Sequence, residues 1–158
     1  MIPYTNWVLI TGCDSGFGLL TAQQLLALGY SVTAICLTEE GCHRLRQTTT
    51  YPSRLHAIQC DITNSNDLQR LQSELNSYKG GKLWSIVNNA GIVIPGYLDH
   101  LTVADFRKVM EVNCEKPPPL IHPSPHTLTH PGSPYFYHYQ VMKSIPPFFG
   151  AETGVHDS

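Results

Sequence analysis

The chain contains no apolar run approaching the roughly 18 residues needed to cross a bilayer, and no leader-like segment stands ahead of its first strand-like stretch. Its 158 residues carry few charges, 14% in all, and a net charge of −2. It therefore lacks the basic excess of a nucleic-acid binder. The five cysteines (13, 36, 42, 60 and 114) form no CxxC pair and no even framework. They read as reduced thiols, and the expected setting is cytoplasmic or cytosol-facing. Metal-ligand spacing is also missing. His122, His126 and His130 are four residues apart, but Pro123, Pro125 and Pro131 prevent one helical face. Cys42-His43 has no partner pair at zinc spacing.

Proline is scarce in the first 116 residues, which hold three of the twelve. The other nine fall in residues 117–158, where Pro and Gly together make up 12 of 42 positions and only Lys143, Glu152 and Asp157 are charged. Pro117-Pro118-Pro119 ends any helix that reaches it, and no helix or strand period follows. The organisation read from this break is an ordered unit over 1–116 and an irregular Pro/His-rich tail over 117–158.

Within the ordered unit, short apolar runs alternate with amphipathic stretches. Strands are expected at Trp7–Ile10, Val32–Cys36, Leu55–Cys60 and Leu83–Val87. Leu19, Ala22, Leu25 and Leu26 line a helix that stops at Gly29. A charged helix runs from about Glu39 to Gln47. Asn64 caps a third helix with Leu68, Leu71 and Leu75 on its inner face. Thr102 and Asp105 open a fourth, expected to carry Phe106, Val109 and Met110 inward. Alternation of this kind specifies an α/β fold with a Rossmann-like, doubly wound parallel sheet.

The chemistry falls at strand ends. Thr11-Gly12-Cys13-Asp14-Ser15-Gly16-Phe17-Gly18 follows the first strand and opens the first helix. Three glycines alone describe an ordinary turn. A glycine turn between strand and helix in a βαβ unit instead lets backbone approach a pyrophosphate and presents helix N–H groups to it. The spacing TGxxxGxG, together with Asn88-Asn89-Ala90-Gly91 after the fourth strand, resembles the short-chain dehydrogenase/reductase family. The strings TGCDSGFG (11–18), CLTEEG (36–41), LWSIVNNAG (83–91) and EVN (111–113) look like its retinol and hydroxysteroid dehydrogenase branch.

That resemblance implies a nicotinamide dinucleotide held by Gly12, Ser15, Gly16, Phe17, Gly18, Cys36, Asp61, Ile62, Asn88, Ala90 and Gly91. Asp61 would be the adenine-contacting acid and Asn113 the active-site asparagine. It also implies oxidation of a hydrophobic alcohol, a retinoid or hydroxysteroid, in which a tyrosine four residues before a lysine removes the proton. Cofactor choice follows partly from charge. Cys36 stands where an NAD site usually has an acid, with Glu39 and Glu40 slightly later. The loop offers Asp14 and Ser15, and the first basic residue after it is Arg44, so NAD is expected, with NADP left open.

The catalytic half departs from the pattern. Tyr139-x-x-x-Lys143 has the dyad spacing, but Tyr139 follows Asn113 by only 26 residues, whereas the resemblance implies about forty. His126 and Thr127 occupy the place of the serine, and Pro146-Pro147 interrupts the helix the pair requires. A second match, Tyr78-x-x-x-Lys82, lies in a connection. Both are read as chance. No fifth strand is legible, so Leu83–Val87 is expected to form an apolar edge, with marginal stability or aggregation unless the aromatic tail covers it. Two classes remain: an alcohol oxidoreductase by lineage, truncated here to dinucleotide binding at most, or a non-catalytic form that acts through partners or has no function. Substrate engagement requires a complete site, and oligomeric state is not legible.

Overall fold

The computed structural model describes residues 6–77 and 82–115. Tyr78, Tyr139, Lys143, the three spaced histidines and all of 117–158 lie outside the described residues, and so do the expectations placed on them. Four strands, β1 (Asn6–Thr11), β2 (Ser31–Cys36), β3 (Leu55–Gln59) and β4 (Lys82–Val87), form one parallel sheet in the order β3-β2-β1-β4. Helices α1 (Gly16–Ala27), α2 (Glu39–Thr48), α3 (Ser65–Ser77) and α4 (Val103–Met110) alternate with them. This is the doubly wound arrangement the apolar periodicity specifies.

The unbroken apolar runs are explained by burial on both faces. In β1, Val8 and Ile10 enter one cluster with Ala22 and Leu26 of α1 and Cys42 and Leu45 of α2. Trp7 and Leu9 point the other way, into a cluster with Ile35, Ile58 and Leu71 of α3. Side chains alternate across a strand, so consecutive apolar residues serve opposite layers.

Helix ends follow their local chemistry. α1 stops because Gly29 adopts φ +96°, which allows Gly29 N–H to reach Leu26 O at 3.1 Å and Tyr30 N–H to reach Leu25 O at 3.0 Å, a Schellman closure. At α3, the Asn64 side chain accepts from Asn66 N–H at 2.9 Å and Asp67 N–H at 3.4 Å. At α4, Asp105 N–H donates to Thr102 Oγ1 at 3.2 Å and Thr102 N–H to Asp105 Oδ2 at 2.8 Å, a complete capping box.

The inner face of α4 differs from expectation. Phe106 and Met110 are 49% and 50% exposed, and only Val109 of the expected trio is half-buried. The helix widens into a π turn over Glu111–Glu115, and the extra residue in that turn shifts the phase. Val112, one turn later, packs on the second cluster instead. Among the described residues β4 is the outer strand on its side of the sheet. Its side chains still engage both layers: Leu83 is buried, and Trp84 stacks on Tyr30 with ring centroids 6.0 Å apart.

Candidate functional site

The chain leaves β1 for β2 and β3 on one side, then returns to β4 on the other. Ligands of open α/β sheets bind at such a switch point, beyond the carboxyl ends of the strands. The Thr11–Gly18 loop and the Asn88–Gly91 segment converge there.

They are joined by a dense set of hydrogen bonds. Thr11 Oγ1, buried, accepts from both Asn89 N–H and Ala90 N–H at 3.0 Å. The Asn89 side-chain amide donates back to Thr11 O at 2.9 Å and Gly12 O at 3.1 Å. The glycines are required by this approach. Gly12 has φ +71°, and a Cβ there would stand 2.8 Å from the Ala90 Cα. A Cβ on Gly18 would overlap Gly12 O and lie 2.5 Å from Asn89 Nδ2. Gly16 has φ +62°. Gly12 and Gly18 are thus fixed by contact between the two segments as well as by turn geometry.

The exposed Ser15 is the N-cap of α1, in extended conformation, and its side chain makes no cap hydrogen bond. The first turn of α1 carries no acid, so its N–H groups remain available to an anion. Phe17, in that turn, is exposed. Asn88 is buried, and its Nδ2 has no hydrogen-bond partner among the described residues. Ala90 packs on the second cluster, and Gly91 is half-buried beside it.

At the end of β3, Asp61 Oδ1 accepts from Thr63 N–H at 2.8 Å and Thr63 Oγ1 at 2.7 Å. Asp67 Oδ2 fixes the Asp61 backbone, accepting its N–H at 2.9 Å. The Ile62 side chain is buried in the second cluster, leaving only its backbone at the surface of the site. Cys36 closes β2, but its thiol is fully buried among Cys13, Cys42 and Leu45. The Cys36 thiol therefore serves the core and is turned away from the end of the strand. The cause is strand alternation: Val32, Ala34 and Cys36 all point into the same layer.

Asn113 lies on the π turn. Its side chain accepts from Ile92 N–H and donates to Ile92 O, both at 2.9 Å. This two-point clamp holds the segment after Gly91 against the π turn that follows α4.

Two structural roles were missed by sequence reasoning, which weighed Asp14 for its charge alone. Asn89, within NNAG, supplies the side-chain bolt to the glycine loop. Asp14 reaches the β2–α2 turn: its Oδ2 accepts from Leu37 N–H at 2.7 Å, and its Oδ1 accepts from Thr38 N–H at 3.0 Å and Thr38 Oγ1 at 2.7 Å. The only available signal was that two polar residues, Asp14 and Asn89, sit in segments that the fold brings together.

The cysteines match the reading as free thiols. Burial pushes Cys13 up to about 12 and Cys60 up to about 11, and raises Cys36 and Cys42 too. The four are neutral and inert at physiological pH, while Cys114 is exposed. A thiol reagent at about pH 8 should modify Cys114 rapidly and the other four only on unfolding. Because the folded values are raised, their contribution to stability is complete below an ordinary thiol value and declines as pH climbs toward those raised values. The urea midpoint should fall over that alkaline window, and four fast thiols or a flat midpoint would contradict the burial. Among the described residues no cluster of three metal-ligating side chains occurs, and no helix is long and apolar enough to cross a membrane.

A parallel sheet with a glycine turn at its switch point defines a Rossmann-type dinucleotide-binding fold. The family profile described as short chain dehydrogenase matches residues 6–117, and the chain belongs to that family. It is 44% identical over 110 residues to the human (Homo sapiens) short-chain dehydrogenase/reductase family 9C member 7, covering 68% of this chain and 34% of that protein. Mouse (Mus musculus) retinol dehydrogenase 16 is 41% identical with the same coverage. The chain thus spans about a third of the length of the curated relatives it matches. Among solved structures, a short-chain dehydrogenase from Streptomyces avermitilis superposes with TM-score 0.66 at 28% identity, covering 73% of this chain and 42% of that one. A Brucella melitensis 3-ketoacyl-(acyl-carrier-protein) reductase complexed with NADH does so with TM-score 0.61 at 27% identity, covering 70% and 45%.

Proposed function

We propose that the chain is the dinucleotide-binding part of an NAD-dependent oxidoreductase acting on a hydrophobic alcohol. The observation that carries this reading is the bolted pair of segments at the switch point, which leaves the first turn of α1 uncapped. The residues present suit a dinucleotide. Backbone N–H groups at Ser15, Gly16, Phe17 and Gly18 would bind the pyrophosphate. Asp61, whose Oδ2 has no hydrogen-bond partner among the described residues, would accept from the adenine amine, with the Ile62 backbone beside it. Asn88 Nδ2 would gain the acceptor it lacks, and Ala90 and Gly91 would line the far wall.

When bound, the nicotinamide ring supplies a hydride acceptor. This chain's own residues hold and orient it: the Asn113 clamp on Ile92 fixes the backbone beyond Gly91, and the Thr11–Asn89 bolt keeps both walls at a set separation. The substrate class follows from relatives that include retinol dehydrogenases. NAD over NADP is supported by Glu39 and Glu40 in the first turn of α2. Arg44, the first base after the loop, is engaged by Glu40 and by the Asp14 carbonyl, each at 3.3 Å.

A second reading, dinucleotide binding without turnover, is favoured by the 26-residue spacing from Asn113 to Tyr139 and by the absence of a serine at the expected distance. Titration of the full chain with NAD+, followed by thermal shift and calorimetry, tests the common element. Saturable binding with a raised Tm is expected, and its absence at millimolar NAD+ overturns both readings. Retinol and hydroxysteroid panels then divide them. Turnover that Tyr139→Phe abolishes supports the dehydrogenase, and binding alone supports the second.

A further inference from the structure

The ladder between β2 and β3 ends at Cys60, whose N–H still reaches Cys36 O at 2.8 Å. The next N–H, that of Asp61, has left the sheet, and a side chain six positions later receives it: Asp67 Oδ2 accepts at 2.9 Å. Asp67 lies in the first turn of α3. Arg70, almost one turn on, donates through Nη2 to Asp67 Oδ1 at 3.1 Å and to Gln59 O at 2.9 Å. The pair thus grips the backbone on both sides of Cys60, where the chain turns out of β3. Asp61 is then engaged at every polar atom but one. Its N–H goes to Asp67, its carbonyl accepts from Asn64 N–H at 3.0 Å, and its Oδ1 accepts twice from Thr63. Among the described residues, only Oδ2 is open.

We propose that Asp67 is a positioning residue for dinucleotide binding, with Arg70 supporting it. Through the Asp61 N–H it fixes the backbone that carries the one open oxygen, so that this oxygen is in place for an adenine amine. The inference rests on the dinucleotide reading above. Fixing the acceptor beforehand raises affinity by removing the ordering cost that a loose side chain meets on binding. A bond from a backbone N–H to a carboxylate is charge-assisted, about twice as strong as a neutral one, which suits a donor that has no ladder partner left. Arg70 supplies the countercharge that lets two acids share one turn.

Calorimetry on the full chain compares NAD+ with nicotinamide hypoxanthine dinucleotide, in which a ring carbonyl replaces the adenine amine. An acceptor placed for the amine tells the two apart, so wild type should bind the analogue about tenfold more weakly or worse. Asp67→Ala keeps Asp61 and Thr63 but releases the Asp61 N–H. NAD+ should then bind about tenfold more weakly and the analogue about as before, so that the preference largely disappears. Asp67→Asn keeps an oxygen for that N–H without the charge, and should lose only about threefold. Added to Asp61→Ala, Asp67→Ala should change neither affinity further. An unchanged preference in folded Asp67→Ala, with both dinucleotides weakened alike, would mark a purely structural role and overturn the proposal. If that variant does not fold, Asp67→Asn is held to the same criterion. Equal wild-type affinities for the two dinucleotides also overturn it, while leaving the dinucleotide reading intact. Failure of wild type to bind either is a different result, and overturns that reading itself.

Discussion

Thr11→Val is expected to destabilise the chain by about 2–5 kcal/mol, since each orphaned buried donor costs about 1–3 kcal/mol. Valine matches threonine in shape, so the substitution opens no cavity. It removes the one oxygen that accepts from Asn89 N–H and Ala90 N–H, both at 3.0 Å. Thr11 is 2% exposed, which denies those donors a ready water. Two segments 78 residues apart in sequence then lose half of the bonds that join them, and dinucleotide affinity should fall with stability. Thr11→Ser keeps the hydroxyl and should cost far less, about 1 kcal/mol for the lost methyl. Urea unfolding followed by circular dichroism measures both. A midpoint for Thr11→Val matching that of Thr11→Ser would show that the hydroxyl is not the bolt.

The elements were legible because their signals are local. Trp7–Ile10 is too short and too apolar for a surface helix, and glycine punctuates it at once. Thr102 and Asp105 announce their helix three residues apart. The facing of α4 was not legible: Phe106 and Met110 stay half-exposed, and the π turn that follows, a backbone event without a residue signature, resets the phase so that Val112 reaches the core. At the site, the glycine loop, Asp61 and NNAG stood out as motifs, but their division of labour did not. Cys36 occupies the end of β2 in sequence, and the parity that turns it inward becomes decisive only once both faces of the strand are known to be covered. Asn89 and Asp14 act across 77 and 23 positions, a coupling that only the folded chain displays.

Gly18→Ala is expected to be more damaging than Gly16→Ala, although Gly16 has the rarer backbone. Gly16, at φ +62°, would bring a conformational cost of about 1–2 kcal/mol to an alanine, the usual penalty of the left-handed region. Gly18 carries no such φ, and its problem is space: the added methyl would overlap Gly12 O and press on Asn89 Nδ2. The first obstacle is backbone, and the second is an amide tied to Thr11 O and Gly12 O. Turning the Asn89 side chain aside relieves only the second, at the cost of both its hydrogen bonds. α1 must withdraw from the loop, which breaks the bonds joining β1 to the segment after β4 and moves the uncapped first turn away from where a pyrophosphate would lie. Overpacking of this kind costs about 1–3 kcal/mol, and each bond lost from Asn89 adds about 1 kcal/mol. NAD+ binding should weaken at least about tenfold, the effect of some 1.4 kcal/mol, whereas Gly16→Ala should retain a measurable share of it. Equilibrium unfolding and NAD+ calorimetry on the two variants decide the order. A milder Gly18→Ala would mean that the loop and the NNAG segment can separate without loss, and that the close approach between them does not set the site.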